Sequence, residues 1–586
     1  MKSSALVPQP PLKPIIGHLM EVLGPSPLAK MMDLARTYGP VYWFEVFGQG
    51  YYVVSGQALV DEVCDESRFQ KSVHQSLLEL RPAIGDGLFT AFGDEPNWAK
   101  AHRVLMQSFG PLSIWSMFDK MVDIADQMFL YWERFGPETA VDVSDHMTRL
   151  TLDTIALCAF DCRFNSFYRE DQHPFVDAMV NTLSEAGKRE LRPKLVSKLM
   201  VNRSRKFDAD IEVMRSLATR MIEDRRKHPH DSEETMDLLD RMLNGVDPVT
   251  GEKLDDENIV FQMITFLIAG HETTSGLLSF ATYFLLKNPD VLQRARSMVD
   301  EVVGNDTPRI EHLARLRYIE QILMETLRIW PTAPAFAVTP LADTTFGGKY
   351  AVSPDDIIMI LTPMLHRDTS VWGDDVEAFR PERFALEHAE KLPPNAWKPF
   401  GNGARACIGR PFAMQEAHLV LIMLLQRFDF SFADPDYELK VAETLTLKPT
   451  DLRINVRPRA RSARKVSSDT LRVHASAQRP SVDHATSIAD NDASKMLVLF
   501  GGNTGSSESF ARRIAGDAGR HGFHATCAPL DAFAGKVDGF PAIVVVTASY
   551  EGQPPDNARA FLPYIEAMSP GALDGVKFAV LGCGNK

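Results

Sequence analysis

The chain has 586 residues, of which 45% are hydrophobic and 24% charged, with a formal net charge of −14 at pH 7. That length is too great for one ordinary core and implies several domains, and the acidic balance excludes a nucleic-acid binder, which would present a basic face. Six cysteines, Cys64, Cys158, Cys162, Cys407, Cys527 and Cys583, do not make a disulfide scaffold in so long a chain and fit a reducing cytoplasm.

Met1 to Pro27 is punctuated by prolines and holds no apolar run long enough for a membrane span or a signal segment, so a soluble chain is predicted. Val41 to Val54 alternates and is rich in Tyr, Val and Phe, with Gly48 and Gly50 between its halves, which predicts a hairpin. From Trp98 to about Leu243 the pattern is mostly helical, broken at Gly110-Pro111, Gly136-Pro137 and His228-Pro229. One long helix follows. Asp255-Asp256-Glu257 supplies its cap and acidic first turn, apolar residues run through Phe284, and Asn288-Pro289 stops it. At ~1.5 Å per residue such a helix reaches on the order of 45–50 Å, enough to cross a domain. Further helices run to Ile329, strand-like segments occupy Thr344 to Leu361, and Pro411 to Phe428 reads as a helix. Between Pro458 and Ser494 basic residues are scattered among Ser, Ala, Pro and Asp without apolar periodicity, as in a flexible linker. Four short apolar strands follow, Met496 to Phe500, Ala525 to Leu530, Ala542 to Thr547 and Phe578 to Leu581, with helical stretches between the first two and the last two.

The chemistry concentrates in Lys398-Pro-Phe400-Gly401-Asn402-Gly403-Ala404-Arg405-Ala406-Cys407-Ile408-Gly409. One cysteine is framed by glycines just before a helix, where a thiolate is favoured over a thiol, and no second ligand stands at a zinc-like spacing. Alone, the stretch reads equally well as a structural cysteine in a Gly-rich turn or as a thiolate ligand to a haem iron. In the long helix, Ala269-Gly270-His271-Glu272-Thr273-Thr274 combines poor helix formers with hydroxyls that can bond the i−4 carbonyl and loosen the turn around a small ligand. Glu325-Thr-Leu-Arg328 is an i, i+3 acid–base pair, and Pro381-Glu382-Arg383-Phe384 follows it.

Phe-Gly-x-Gly-x-Arg-x-Cys-x-Gly is the haem-binding signature of the cytochromes P-450, and the other three segments are further signatures of that family in the right order. The first 458 residues therefore resemble a cytochrome P-450, most nearly the self-sufficient fatty-acid hydroxylases of bacilli and fungi, in which the haem domain is fused to a diflavin NADPH reductase. The resemblance implies a mainly α fold with small β-sheets over residues 1–458. It makes Cys407 the axial ligand of haem b, with Lys71, Trp98, His102, Phe400 and Arg405 around the haem and its propionates. Thr273 would hydrogen-bond dioxygen and Glu272 would help deliver protons, whereas Glu325, Arg328 and Arg383 would pin the core. Phe89 would gate the substrate's ω end, Ala333 and Leu445 would stand close to the haem, and Leu77 and Ile84 would form pocket walls, Ile84 replacing a small residue and narrowing the pocket. Gln49 and Val53 fall where such enzymes place an Arg and a Tyr to hold a carboxylate, so a charge-assisted contact is replaced by at best a neutral one. Tyr51 or Tyr52 is an alternative anchor, one of them turned away by strand alternation.

Phe500-Gly501-Gly502-Asn503-Thr504-Gly505-Ser506-Ser507-Glu508 follows a strand and opens a helix, an anion site that lacks both the Gly-Lys-Ser/Thr and Gly-x-Gly-x-x-Gly patterns. Gly502, Asn503, Thr504, Gly505 and Ser506 resemble the phosphate loop of flavodoxins. Ser549, Tyr550 and Gly552 resemble a second flavin loop, with Tyr550 stacking on FMN, and Gly582, Cys583 and Gly584 a third. Residues 459–494 would then be the linker and 495–586 an incomplete α/β flavodoxin-like domain, since that fold needs a fifth strand. A fragment of a longer polypeptide is expected, with FAD and NADPH bound in the missing portion. The resemblance implies a haem-thiolate monooxygenase that hydroxylates medium- or long-chain fatty acids or related chains near the ω end. It would use O2 and electrons from NADPH through FAD and FMN, with its own reductase portion as partner and pairing with a second copy as an option. Alternatives are a hydroxylase of neutral chains, a peroxide-driven peroxygenase, or a haem-binding protein without turnover.

Overall fold

The computed structural model describes residues 7–24, 26–134, 139–169, 173–190, 192, 199–230, 236–444, 446–459, 494–502, 506–518, 521–537, 539–548, 554–569 and 571–582. Contacts divide the chain into two bodies, one mainly helical and one α/β. Among the described residues no helix is long and apolar enough to cross a membrane.

In the helical body, β1 (Val41–Val46) and β2 (Gln49–Val54) form the predicted hairpin, in register Val46↔Gln49. Its two-residue turn has positive φ at both Phe47 (49°) and Gly48 (82°), the mirror-image turn that suits strand twist. With β3 (Phe69–Lys71), β4 (Ala335–Pro340) and β5 (Ile357–Leu361) it builds a sheet ordered β1-β2-β5-β4-β3. The helices that matter here are α1 (Pro96–Leu105), α2 (Val143–Phe160), α3 (Pro174–Glu190), α4 (Asp256–Lys287), α5 (Arg317–Ile329) and α6 (Arg410–Arg427). The long helix α4 starts where the acidic cap predicts, the Asp255 carboxylate accepting from the Asn258 N–H at 2.8 Å. It packs along α2. A Cβ on Gly270 would stand 2.8 Å from Ile155 Cγ1, so the glycine allows that close approach.

Helix α5 carries the acid–base pair inward. Arg328 donates to both Glu325 oxygens, at 2.7 and 2.9 Å, and to the carbonyls of His366, Val376 and Ala378. Arg383 Nε stands 3.5 Å from the same carboxylate, and neither Glu325 nor Arg328 is exposed. A buried charge left alone is costly, so Arg328→Leu is expected to destabilise the protein by about 3–5 kcal/mol, read as a fall in urea midpoint. A midpoint within error of wild type would contradict this account.

Arg459, expected to begin the linker, instead belongs to the helical body: its N–H donates to the Arg427 carbonyl at 2.8 Å and its guanidinium pairs with Asp300 at 2.7 Å. The remaining linker residues through Ala493 lie outside the described residues, and Ser494 is already part of a strand.

The α/β body contains β6 (Ser494–Gly501), α7 (Ser506–Ala518), β7 (Phe523–Pro529), β8 (Ala542–Thr547) and β9 (Lys577–Gly582). All four strands are parallel in the order β7-β6-β8-β9, so the three predicted flavin loops leave the same edge of the sheet, at the carboxyl ends of β6, β8 and β9.

Candidate active site

A cavity of about 1110 Å³ lies within the helical body. The Cys407 loop forms one wall, the Ala269–Thr274 turn of α4 another, and an apolar channel leads away past Phe89, Leu77 and Ile84 to the β1–β2 hairpin. The predicted haem residues Lys71, Trp98, His102, Phe400 and Arg405 all line it, as does Cys407.

The loop is held from several sides. Gly401 and Gly403 have φ of 77° and 57°, and a Cβ on Gly403 would come within 1.9 Å of the Glu66 carboxylate carbon. Glu66 accepts from the Ala404 N–H at 2.8 Å, Asn402 Nδ2 donates to the Cys64 carbonyl at 2.8 Å, and the Cys407 N–H donates to the Phe400 carbonyl at 2.8 Å. His366 joins this loop to the buried ion pair, a link the sequence analysis missed. Its Nε2 accepts from the Lys398 N–H at 2.9 Å, so Nδ1 carries the proton and donates to the Arg328 carbonyl at 3.1 Å. Burial, with Arg328 beside it, brings its pKa down to about 3 and keeps the ring neutral. The sequence offered no signal for it beyond a single histidine.

The Cys407 side chain is exposed to the cavity, yet its depth in the protein raises the thiol pKa above its usual value, although the N–H groups of Gly409 and Arg410 at the start of α6 pull the other way. The helix end lowers the thiol pKa without offsetting that rise, and a cation at the sulfur would favour the thiolate. Opposite charge is wanted elsewhere in the cavity. Burial and the neighbouring Arg405 bring Lys71 down to about 7, and burial brings Arg405 down to about 10 despite Glu95. Arg405 Nη1 is buried and has no hydrogen-bond partner among the described residues, while Nη2 donates to the Ala91 carbonyl. Arg405 stacks over Trp98 at 4.3 Å, and Trp98 stacks on His102, four residues on along α1, at 5.0 Å. A thiol that needs a cation and two cations that need anions fit a haem, with iron at one place and propionates at the other.

On α4 the Thr273 hydroxyl bonds back to the Ala269 carbonyl at 3.0 Å, as predicted, and faces the cavity. Glu272 lines the cavity too, but its carboxylate is already engaged: Lys448 Nζ at 2.9 Å, Thr446 Oγ1 at 3.0 Å and His271 Nε2 at 3.4 Å. Burial pushes its pKa up, yet Lys448 and His271 outweigh burial and hold it well below the usual carboxylate range.

Phe89 and Ala333 line the cavity, and the Phe89 carbonyl accepts from Lys71 Nζ at 2.6 Å. Gln49 lines it, whereas Val53 does not: Val53 is buried in the sheet, paired with Tyr42 and Met359. Its alternation matches Gln49 and Tyr51, but Val53 is fully buried and takes no part in the lining. Tyr51 is the hairpin tyrosine that faces the cavity, while Tyr52 turns to Trp43 and Phe346. Leu445 lies outside the described residues. Three polar lining residues that the sequence analysis did not single out are His74, Lys188 and Arg192.

In the α/β body, the Gly502 N–H donates to Asn557 Oδ1 at 2.9 Å, tying the loop after β6 to the one after β8. Gly582 ends β9. Ser506 opens α7, but its side chain, and Asn503, Thr504, Gly505, Ser549, Tyr550, Gly552, Cys583 and Gly584, lie outside the described residues.

Comparison with known proteins adds the family. A cytochrome P450 family model matches residues 7–456, and a flavodoxin model matches residues 498–586. The chain belongs to the cytochrome P450 family. The P450 portion implies haem and the flavodoxin portion implies FMN. Bifunctional cytochrome P450/NADPH–P450 reductase 1 of Bacillus subtilis (strain 168) is 47% identical over 100% of this P450 chain and 55% of its own length. The self-sufficient cytochrome P450 monooxygenase CYP505E3 of Phanerodontia chrysosporium is 45% identical over 99% of the chain and 55% of its own length. The Fusarium oxysporum P450/NADPH–P450 reductase is 45% identical over 100% and 55% respectively. The chain thus spans about half the length of the relatives it matches.

Proposed function

We propose that this P450 is the haem-bearing part of a self-sufficient monooxygenase that hydroxylates medium- or long-chain aliphatic substrates near the ω end. The observation that carries the reading is one cavity joining Cys407, the Thr273 hydroxyl bonded back to Ala269 and a long apolar channel. Bound haem would supply activation of O2 and transfer of one oxygen atom into a C–H bond, with electrons from NADPH, as the names of the relatives suggest, passing through FAD and then the FMN that the flavodoxin portion implies.

The chain's own residues would divide the work. Cys407 ligates the iron, while Lys71, Trp98, His102 and Arg405 receive the propionates. The Thr273 hydroxyl, which donates to the Ala269 carbonyl, would turn from that bond to donate where O2 binds, and Glu272, one residue away and tied to Lys448 and Thr446, would order the route by which protons arrive. Phe89 and Ala333 crowd the haem end of the channel, so the far end of a chain reaches the reacting position. In the α/β body the loops after β6, β8 and β9 would hold FMN.

The test is the absorption spectrum of the reduced, carbon monoxide-bound, haem-loaded protein. A thiolate-type Soret band in wild type, lost in Cys407→His with haem retained, is the expected result. An unchanged band in the variant would remove Cys407 from the iron. Product analysis with a saturated chain completes the test, since oxidation at the head-group end would overturn the ω assignment.

A further inference from the structure

The position where related enzymes would hold a carboxylate is neutral here, at Gln49, so the polar end of a chain must be read by another group of the cavity. The outer wall offers cations, but carboxylates accompany them. Arg192 pairs with Glu185 at 2.9 Å, and Glu443, also in the lining, caps the Leu28 N–H at 2.7 Å. Lys188 lines the same end and is exposed. Salt screens such an exposed charge, and it gives little orientation.

His74 differs from all of these. It lies just before the short helix Gln75–Leu78, whose Leu77 N–H donates to the His74 carbonyl at 2.9 Å, so its backbone is fixed. Its ring lines the channel between Lys71, at the haem end, and Tyr51, on the hairpin, with the Tyr51 ring edge-on at 6.3 Å. Its Nδ1 is closed off and has no hydrogen-bond partner among the described residues. A buried imidazole nitrogen without a partner costs free energy, and a ligand group that satisfies it recovers that cost. No hydrogen bond at Nδ1 opposes a half-turn of the ring about its Cβ–Cγ bond, which would exchange nitrogen and carbon positions. Burial and the charge on Lys71 bring its pKa down to about 4, so the ring is neutral at pH 7, with one N–H to donate and one lone pair to accept.

We propose that His74, with Tyr51 beside it, is the specificity-determining residue of the channel, and that it hydrogen-bonds the uncharged hydroxyl group of an aliphatic alcohol. This rests on the function proposed above and names its substrate class. A hydroxyl both donates and accepts, matching a neutral imidazole, whereas a carboxylate brings a charge that, among the described residues, no unpaired buried cation at this end of the channel offsets. Substrates of the site are then long-chain alcohols, and their products are diols.

The experiment uses the haem-loaded chain and follows the Soret spin shift during titration with dodecanol, dodecanoate and dodecane. Wild type is expected to bind dodecanol more tightly than dodecanoate. His74→Phe is expected to weaken dodecanol about tenfold while leaving dodecane unchanged, and His74→Gln, which keeps a donor and an acceptor, is expected to recover most of the loss. Equal dodecanol affinity in His74→Phe and wild type would overturn the proposal. So would tighter binding of dodecanoate that disappears in Lys188→Met, which would move the anchor to Lys188. A changed resting spectrum or reduction potential in His74→Phe without substrate would place His74 on the haem instead and also overturn it. If no chain shifts the wild-type spectrum, the proposed function itself fails and the His74 inference fails with it.

Discussion

Replacing Lys448 by methionine is expected to cost about 3–5 kcal/mol at pH 8, because it strands the Glu272 carboxylate inside α4. The two groups are 9% and 15% exposed, so solvent does little to soften the loss. The sign of the pH dependence follows from which influence on Glu272 survives. In wild type its folded pKa is depressed, so it contributes stability that is present above the unfolded value of about 4.3 and is lost as pH falls below it. Without Lys448 burial is opposed chiefly by His271, and the carboxyl pKa rises. The variant should then be penalised most at pH 8, and the penalty should shrink as pH falls towards 5 and the carboxyl takes up a proton. Glu272→Gln combined with Lys448→Met removes both charges and should recover most of the stability, which a double-mutant cycle in thermal unfolding would measure. A Lys448→Met protein as stable as wild type at pH 8 would mean that the pair adds nothing. The same variant bears on the proposed chemistry, since Glu272 without its tie to Lys448 no longer orders the proton route beside Thr273.

This pair also shows where the sequence stopped being informative. The hairpin, the Asp255 cap, the Thr273 back-bond and the Glu325–Arg328 pair all depend on residues within a few positions of one another, and the spacing revealed them. Lys448 is 176 residues from Glu272, and only the packing of α4 against the segment after Leu445 brings them together. Val53 shows the complementary failure. Alternation places it on the Gln49 face of β2, but whether a residue of that face reaches the cavity depends on tertiary packing, which leaves Val53 1% exposed and outside the lining. His366 and His74 could not be ranked among 16 histidines, because the features that set them apart are a backbone N–H from Lys398 in one case and an unsatisfied buried nitrogen in the other. The helix-end argument for a Cys407 thiolate was correct in direction but omitted burial, which is the larger influence.

That balance at Cys407 and Lys71 predicts how haem affinity varies with pH. In the haem-free protein the Cys407 thiol is protonated across the neutral range, since burial raises it above its ordinary value. Binding iron as a thiolate releases that proton, so affinity should climb up to tenfold for each pH unit. Lys71 works in the opposite sense. It loses its proton at about 7 without haem, and a propionate beside it would restore the charged form, so binding takes up a proton above that pH. Below pH 7 only the thiol contributes and affinity rises. Above pH 7 the two protons cancel and the curve flattens until the thiol itself begins to ionise. In Lys71→Met the uptake is gone, and affinity should keep climbing past pH 7. Arg405 stays charged throughout this range, so Arg405→Leu should lower affinity at every pH without changing the shape of the curve. Haem transfer to a competing apo-globin between pH 6 and 9 measures all three curves. A wild-type curve that climbs through pH 8 as steeply as that of Lys71→Met would remove Lys71 from the propionates.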